Sequence, residues 1–467
     1  MSKDYKYQPE FIRDIALKIK EGYKRILPQL ATGGGKTVVF SNITKSYTSK
    51  NDKSVVILVH REELLHQARN TLFRMHGIES ELIVAGKRYI PKSKVYLGMV
   101  ESVNNRIEKL HNVGLVIIDE CHIGSFHKMH GHFEDQIILG FSATPISSSK
   151  RFPLKLYYEE IVPCKEGIPE LIKDGYLCQN ITRAPKDIVD RKSLKMKGDD
   201  FDESEMAKTF SAVKYVNNTV KSYEKWAKGT KTVVFNVNIA HSKEVTKAFQ
   251  DAGFNCKHLD GTMKNERKGI LKWFKDTPDA ILCNVGILTA GFDEPSIQTV
   301  MVNRSTQSLG LWIQMAGRGS RIFEGKLYFN IIDLGGNALY HGDWCDQRDW
   351  YKIFHNPPKP GKSEPAPVKM CPKCEGLVHA SARICPLPDE NGELCGYEWP
   401  VKEKGIEEMR EDFVIITKGI DAGALIQANK DAKEFFTLFR IGTLLAMDAK
   451  KTFCSKTQND SSDKPVV

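Results

Sequence analysis

The stretch LATGGGKT, Leu30 to Thr37, constrains this chain more than any other. Three successive glycines, Gly33, Gly34 and Gly35, remove the side chains that would keep a backbone from curling around a phosphate chain. The N–H groups exposed by that curl, which begins at Thr32, face the anion together with the positive end of the following helix. Lys36 can reach β- and γ-phosphates, and the Thr37 hydroxyl can hold Mg²⁺. The slot that opens the usual pattern holds Leu30, with Ala31 next, where Gly or Ala is expected. Read alone, the stretch could be a glycine-rich turn that happens to precede Lys-Thr.

Its surroundings remove that alternative. Ahead of it lie Tyr5, Tyr7 and Gln8 and a helical pattern, FIRDIALKIK. An aromatic ring and Gln8 could grip an adenine by stacking and a two-point amide contact; the plainer alternative is a surface Gln at a helix start. Behind the loop, apolar runs alternate with helical segments: SVVILVH, then REELLHQARNTLFRM, then KVYLG and VGLVIIDE. Such alternation predicts an α/β fold with a parallel sheet covered on both faces. Ligands of such sheets sit at the carboxyl ends of the strands, where Leu115 to Ile118 deliver Asp119 and Glu120. Asp119 is expected to hold Mg²⁺ through water, and Glu120 to orient and deprotonate the attacking water. QIILGFSATP supplies Ser142 and Thr144, hydroxyls placed to bond His122.

Residues 147 to 210 read as a connection with surface-facing structure. From Lys231 the alternation resumes, through KTVVFNV, a helix over 240–251, CKHLDG, ERKGILKWFKD, AILCNVG and QTVMVNR, without a second phosphate loop. One lobe would hold ATP and the other close on it. LWIQMAGRGSRI supplies Gln314, Arg318 and Arg321 for the closing face. Arg318 and Arg321 share one face if the segment is helical, and either could serve as an arginine finger, worth about 10³–10⁵ in rate.

Together the segments resemble a superfamily 2 helicase, of the branch with the XPB-like and phage recombination helicases. YQPEF resembles the adenine-reading segment, LATGGGKT motif I, LVHREELLHQA motif Ia, YLGMVESV Ib, DECH II, SAT III, VVFNVNIAHS IV, NVGILTAGFDEP V and QMAGRGSR VI. The resemblance covers about residues 5 to 335. It implies two tandem RecA-like lobes with ATP in the cleft, and nucleic acid crossing both. By motif position, His60, Arg61, Gly98, Asn236 and Thr289 would touch the nucleic acid, and Gly291 and Asp293 would lie near the nucleotide. Motif VI carries Met315 where many relatives have a basic residue. The function implied is an ATP-dependent DNA helicase acting on forked, branched or single-stranded DNA, with replication, repair or recombination proteins as partners, as in a bacteriophage. Alternatives are a duplex translocase without strand separation, an RNA helicase, and an ATP-switched nucleic-acid-binding scaffold.

A length of 467 residues exceeds one compact core, and a net charge of +10 favours a polyanionic partner. No apolar run approaches the ~20 residues needed to span a bilayer, so the expectation is a monomer in a reducing, cytoplasmic setting. Seven of the eleven cysteines are scattered; Cys371, Cys374, Cys385 and Cys395 cluster. Four thiolates suit tetrahedral Zn²⁺, against the alternative of coincidental thiols. Such a zinc ribbon could contact nucleic acid, dock a protein or act as a clip. The expected domains are lobe 1 (1–150), the connection (151–210), lobe 2 (211–345), a Pro- and Lys-rich linker (346–368), the ribbon (369–400), a helical appendage (401–453) and a disordered tail (454–467).

Overall fold

In the computed structural model, the described residues are 5–87, 89–147, 152–185, 189–289, 292–357, 368–388 and 393–400. The expected appendage and tail, and residues 358–367 of the expected linker, lie outside them. The fold below belongs to the first of two compact units, Met1–Glu398. Among the described residues no helix is long and apolar enough to cross a membrane.

Lobe 1 opens with α1 (Gln8–Lys20), β1 (Arg25–Gln29) and α2 (Lys36–Lys50), followed by β2 (Ser54–Val59), α3 (Glu62–His76), β3 (Glu81–Ile83), β4 (Val95–Met99), α4 (Val100–Asn104), β5 (Val113–Asp119), β6 (Ile137–Phe141) and β7 (Glu160–Pro163). The strands form a parallel sheet in the order β3-β4-β2-β5-β6-β1-β7. Its central strands read as unbroken apolar runs because both faces are covered: all six residues of β2 are buried.

After α5 (Ile168–Lys173), lobe 2 is built from β8 (Gln179–Arg183), a small hairpin of β9 (Met196–Lys197) and β10 (Asp200–Phe201), α6 (Glu203–Phe210), α7 (Val213–Trp226), β11 (Thr232–Asn236), α8 (Ile239–Asp251), β12 (Cys256–Leu259), α9 (Arg267–Asp276), β13 (Ile281–Asn284), β14 (Thr299–Asn303), α10 (Leu309–Ala316) and β15 (Tyr328–Asp333). Its parallel sheet runs β12-β13-β11-β14-β15-β8. The chain is thus an α/β protein with two RecA-like sheets.

Three segments differ from the sequence reading. A strand, β1, separates the first helix from the glycine loop; its sequence RILPQ hides it, because Pro28 and two polar residues break the apolar run. The stretch 147–210, read as connection, gives an outer strand to each sheet: β7 to lobe 1 and β8 to lobe 2. The 346–368 segment, read as linker, contains α12 (Trp350–His355), reached through α11 (Asn337–His341). Trp344 is buried in lobe 2 against Phe329, with ring centroids 5.4 Å apart. Ten residues further on, Phe354 is buried in lobe 1 with Leu154, Tyr158 and Ile161. The chain therefore crosses back from lobe 2 to lobe 1 and is anchored by an aromatic side chain at each end.

The antiparallel pair β16 (Val368–Met370) and β17 (Leu377–His379) opens the cysteine segment. It attaches to lobe 2 through a bridge between Gly376 and Arg183 of the outer strand β8 and an ion pair between Glu375 and Lys225 of α7.

Emptying the lobe 1 end of the returning chain should cost what a buried ring costs. Phe354→Ala is expected to destabilise the protein by about 3–5 kcal/mol, read as a fall in the urea midpoint. Tyr351→Ala, on the same helix but exposed, should leave the midpoint within error.

Candidate nucleotide site between the lobes

The glycine loop links β1 to α2, so the first turn of that helix opens toward the cleft. Gly33 and Gly35 have φ of +89° and +82°, a left-handed backbone that glycine adopts without penalty. A Cβ on Gly33 would stand 2.5 Å from Leu177, and one on Gly34 would stand 2.9 Å from Leu30. Leu30 is fully buried beneath the loop, which accounts for its place where a small residue is usual. Gln8 donates to the carbonyls of Gly34 (3.1 Å) and Gly35 (3.4 Å), and the Tyr7 hydroxyl also donates to Gly34. Gln8, buried rather than on the surface, and Tyr7 therefore brace the loop.

Asp119 and Glu120 arrive at the carboxyl end of β5, as its apolar run requires. Lys36 Nζ lies 2.9 Å from Glu120 Oε1, and His122 Nδ1 lies 3.4 Å from Glu120 Oε2. Glu120 has φ +55°, a conformation uncommon outside glycine and stored more often at functional sites than elsewhere. Burial pushes the Asp119 carboxyl above its usual range, and the neighbouring Glu120 charge pushes it further. Burial acts the same way on Glu120, but Lys36 and His122 outweigh it and hold that carboxyl below its usual range. One buried oxygen of Asp119 has no hydrogen-bond partner. A buried carboxylate oxygen left bare costs several kcal/mol or so unless a cation meets it, so the donor set suits a divalent ion at Asp119 with the Thr37 hydroxyl.

The second lobe completes the site. Gln314 Nε2 lies 2.9 Å from His122 Nε2 and 3.4 Å from Thr144 Oγ1, while His122 Nδ1 lies 3.0 Å from Ser142 Oγ. Arg321 donates to the Gly33 carbonyl at 3.3 Å and pairs with Asp293 at 2.9 Å. A single contact series therefore runs from Lys36 through Glu120 and His122 to Gln314, with Arg321 entering beside it.

Other expected residues are placed differently. The helix α10 ends at Ala316 and a 3₁₀ turn covers Gly317–Gly319, so Arg318 and Arg321 do not share an α-helical face. Arg318 gives its guanidinium to the carbonyls of Thr289 and Phe292, both at 2.5 Å. Burial lowers it to about 10, with the nearby Arg321 charge adding to the fall. In this arrangement Arg318 is taken up by the carbonyls of Thr289 and Phe292, and Arg321 is the arginine aimed at the glycine loop. Met315 is buried, part of the core where a basic residue was the comparison. Gly291 lies outside the described residues.

Among the expected nucleic-acid contacts, Arg61 donates to the Ile287 carbonyl of lobe 2, and Glu63 beside it pairs with Arg267 at 3.0 Å. Thr289 bonds Gly286 O at 2.6 Å. His60 lowers to about 4 through burial, which exceeds the upward pull of Glu120; neither ring nitrogen has a partner. His60 thus sits beside the acid pair. Two others face inward. Gly98 lies in β4, where a Cβ would meet Val103 at 2.5 Å, so packing alone demands the glycine. Asn236 is fully buried and its amide is used within lobe 2, toward Val234 O, Ser242 and Asn303.

Sequence reasoning missed two participants. Tyr176 stacks on Tyr5 at 5.0 Å, beside the loop that Leu177 covers. Lys326 gives its ammonium to the carbonyls of Pro295, Ile297 and Gly319 (2.8–2.9 Å), tying motif V to motif VI. Its only signal is a lysine between apolar neighbours a few residues beyond Arg321.

The cysteine segment brings Cys371, Cys374, Cys385 and Cys395 together, their sulfurs all within 4.8 Å of one another. The pairs Cys371–Cys395 and Cys374–Cys385 are 3.8 and 3.7 Å apart.

Comparison with known proteins agrees with this geometry. Residues 2–147 match the family described as type III restriction enzyme, res subunit, and residues 212–323 match the helicase conserved C-terminal domain. A 51.5 kDa protein of a Lactococcus phage (isolate 7-9) is 30% identical over 386 residues, covering 80% of this chain and 78% of that protein. IRC3 of Saccharomyces cerevisiae, named as an ATP-dependent helicase, is 35% identical over 354 residues, covering 71% of this chain; the chain spans 51% of the yeast protein's length. An HsdR-subunit fragment of a type I restriction enzyme from Vibrio vulnificus YJ016 shares the fold, with a TM-score of 0.57 at 22% identity, covering 77% of this chain and 67% of that one. The chain belongs to the superfamily 2 helicases. Its fold and site are those of an ATP-hydrolysing enzyme.

Two substitutions separate the roles. Glu120→Gln should keep nucleotide affinity and lose about 10²–10⁴ in hydrolysis. Arg321→Ala should lose about 10³ or more in turnover, with binding of a fluorescent ATP analogue changed far less.

Proposed function

We propose that this chain is an ATP-driven DNA helicase that remodels forked or branched DNA. The observation that carries the reading is the contact series from Lys36 through Glu120 and His122 to Gln314. It makes the state of one nucleotide a contact between lobes. Lys36 and Arg321 grip the triphosphate from opposite lobes. Glu120, kept ionised beside Lys36, takes the proton of the attacking water. Mg²⁺, held by Asp119 and Thr37, would neutralise phosphate charge. Loss of the γ-phosphate removes what the two basic groups share, and the lobes separate. Nucleic acid laid across both lobes would be advanced by each cycle, gripped through its backbone and so more weakly as salt rises. We assign that backbone contact to Arg61 and Arg267, which bond across the two lobes, and to Thr289.

The cysteine cluster is proposed to hold Zn²⁺. Four Zn–S bonds of about 2.3 Å place the sulfurs of a tetrahedron about 3.8 Å apart, close to the spacings of the two cysteine pairs. A segment with so little apolar core of its own gains its fold from such an ion.

The test is an ATPase panel over single-stranded, duplex, forked and four-way DNA and the matching RNA, with labelled strands to score separation. Forked or four-way DNA should stimulate most and be unwound. Stimulation by duplex without separation would convert the reading to a translocase, and stimulation by RNA alone would overturn it. Elemental analysis should return one zinc per chain; a ratio near zero would remove the ribbon assignment.

A further inference from the structure

Outside the cleft, a second concavity lies between α7 and the cysteine ribbon, with a volume of about 340 Å³. One wall is helical: Asn218, Lys221 and Lys225 fall at i, i+3 and i+7 and so share a face. Trp226 contributes a half-buried ring, and Met370 and Glu375 of the ribbon form the opposite wall. The helix continues the basic character beyond the groove, with Lys214 exposed before it and Lys228 exposed after it. Arg383 and Lys373 are exposed on the ribbon itself. Two acids interrupt the field, Glu224 on α7 and Glu375 on the ribbon. Glu375 pairs with Lys225, whose ammonium also stands 5.1 Å from the Trp226 ring centroid.

Cations along a helix face, an amide and a flat ring at the floor are the elements that bind a polynucleotide strand without regard to sequence: phosphates on the lysines, a base on the ring. An acidic peptide would use the lysines and leave the indole unmatched. We propose that this groove is a second contact for a single nucleic-acid strand, one that holds a strand leaving the cleft against lobe 2 and the ribbon. The proposal rests on the nucleic-acid reading above and extends it to a surface outside the helicase motifs. It also gives the ribbon a role: its docking on α7, through Glu375 and through Gly376 on β8, creates the groove.

The experiment uses the full, zinc-loaded chain and a labelled thymidine oligonucleotide, with fluorescence anisotropy followed across a salt series. Lys221→Glu/Lys225→Glu should weaken binding roughly tenfold and lower the slope of log affinity against log salt by about 1.4, two single-strand phosphate contacts at about 0.7 each. Lys243→Glu/Lys247→Glu on α8 makes the same charge change elsewhere on lobe 2 and should do neither. Indole fluorescence should be quenched on binding, and Trp226→Phe should abolish most of that quench while keeping affinity within about threefold. If the α7 pair matches the α8 pair in both affinity and slope, the groove is not a contact and the proposal is overturned. Failure of the wild-type chain to bind any oligonucleotide would instead remove the nucleic-acid reading on which it rests.

Discussion

The structure turns on one part-buried carboxylate, Glu120, and the two lobes that reach it. Glu120 is held by Lys36 from its own lobe and by His122, and His122 is gripped by Gln314 from the other. Lys36 and Glu120 are largely shielded from water, and each serves as the other's counter-charge. The pairing makes cleft closure and the state of the acid interdependent. Separating Gln314 from His122 leaves the imidazole Nε2 without its partner from the other lobe while Nδ1 keeps Ser142, and moving Arg321 away from Gly33 breaks the second contact between the lobes. The remaining architecture serves this junction. The two parallel sheets bring the ends of β5 and β6 and the start of α10 together, and Arg318 and Lys326 bond the carbonyls of Thr289, Phe292 and Pro295 near Arg321.

The returning chain adds a second physical tie between the lobes. Trp344 is buried in one and Phe354 in the other, with the intervening residues knotted by Arg348, which donates to the carbonyls of His341, Asp343, Trp344 and Asp346. A compact knot between two buried aromatic residues limits how far the lobes can part on that side. Arg61 and Arg267 add further contacts between the lobes, to the Ile287 carbonyl and to Glu63.

Much of this was legible in the sequence because parallel sheets write themselves as apolar runs. β2, β5, β11 and β14 were read correctly, and the acid pair at the end of β5 followed from that reading. β1 was hidden by Pro28, β7 by its length of four residues ending in a proline, and β8 by its polar composition. The return to lobe 1 left no pattern, since α12 is six residues long and its one anchor is a single Phe. In the site, residue type was legible and direction was not. Arg318 and Arg321 look equivalent in QMAGRGSR, yet the break at Gly317 sends one to backbone carbonyls and the other to the phosphate loop. Asn236 and Gly98 show a related point: a motif position marks a neighbourhood, whereas packing decides whether the side chain faces outward.

The most direct measurement of the central claim is the distance between the lobes when nucleotide binds. Spin labels carried on unnatural amino acids at Arg74 of α3 and Asp251 of α8 would leave the ribbon cysteines untouched. A non-hydrolysable ATP analogue should narrow the distance distribution in the wild-type chain, and Arg321→Ala should leave it as broad as without nucleotide. Equal narrowing in both proteins, or none in either, would contradict the account that one triphosphate is clasped from both sides.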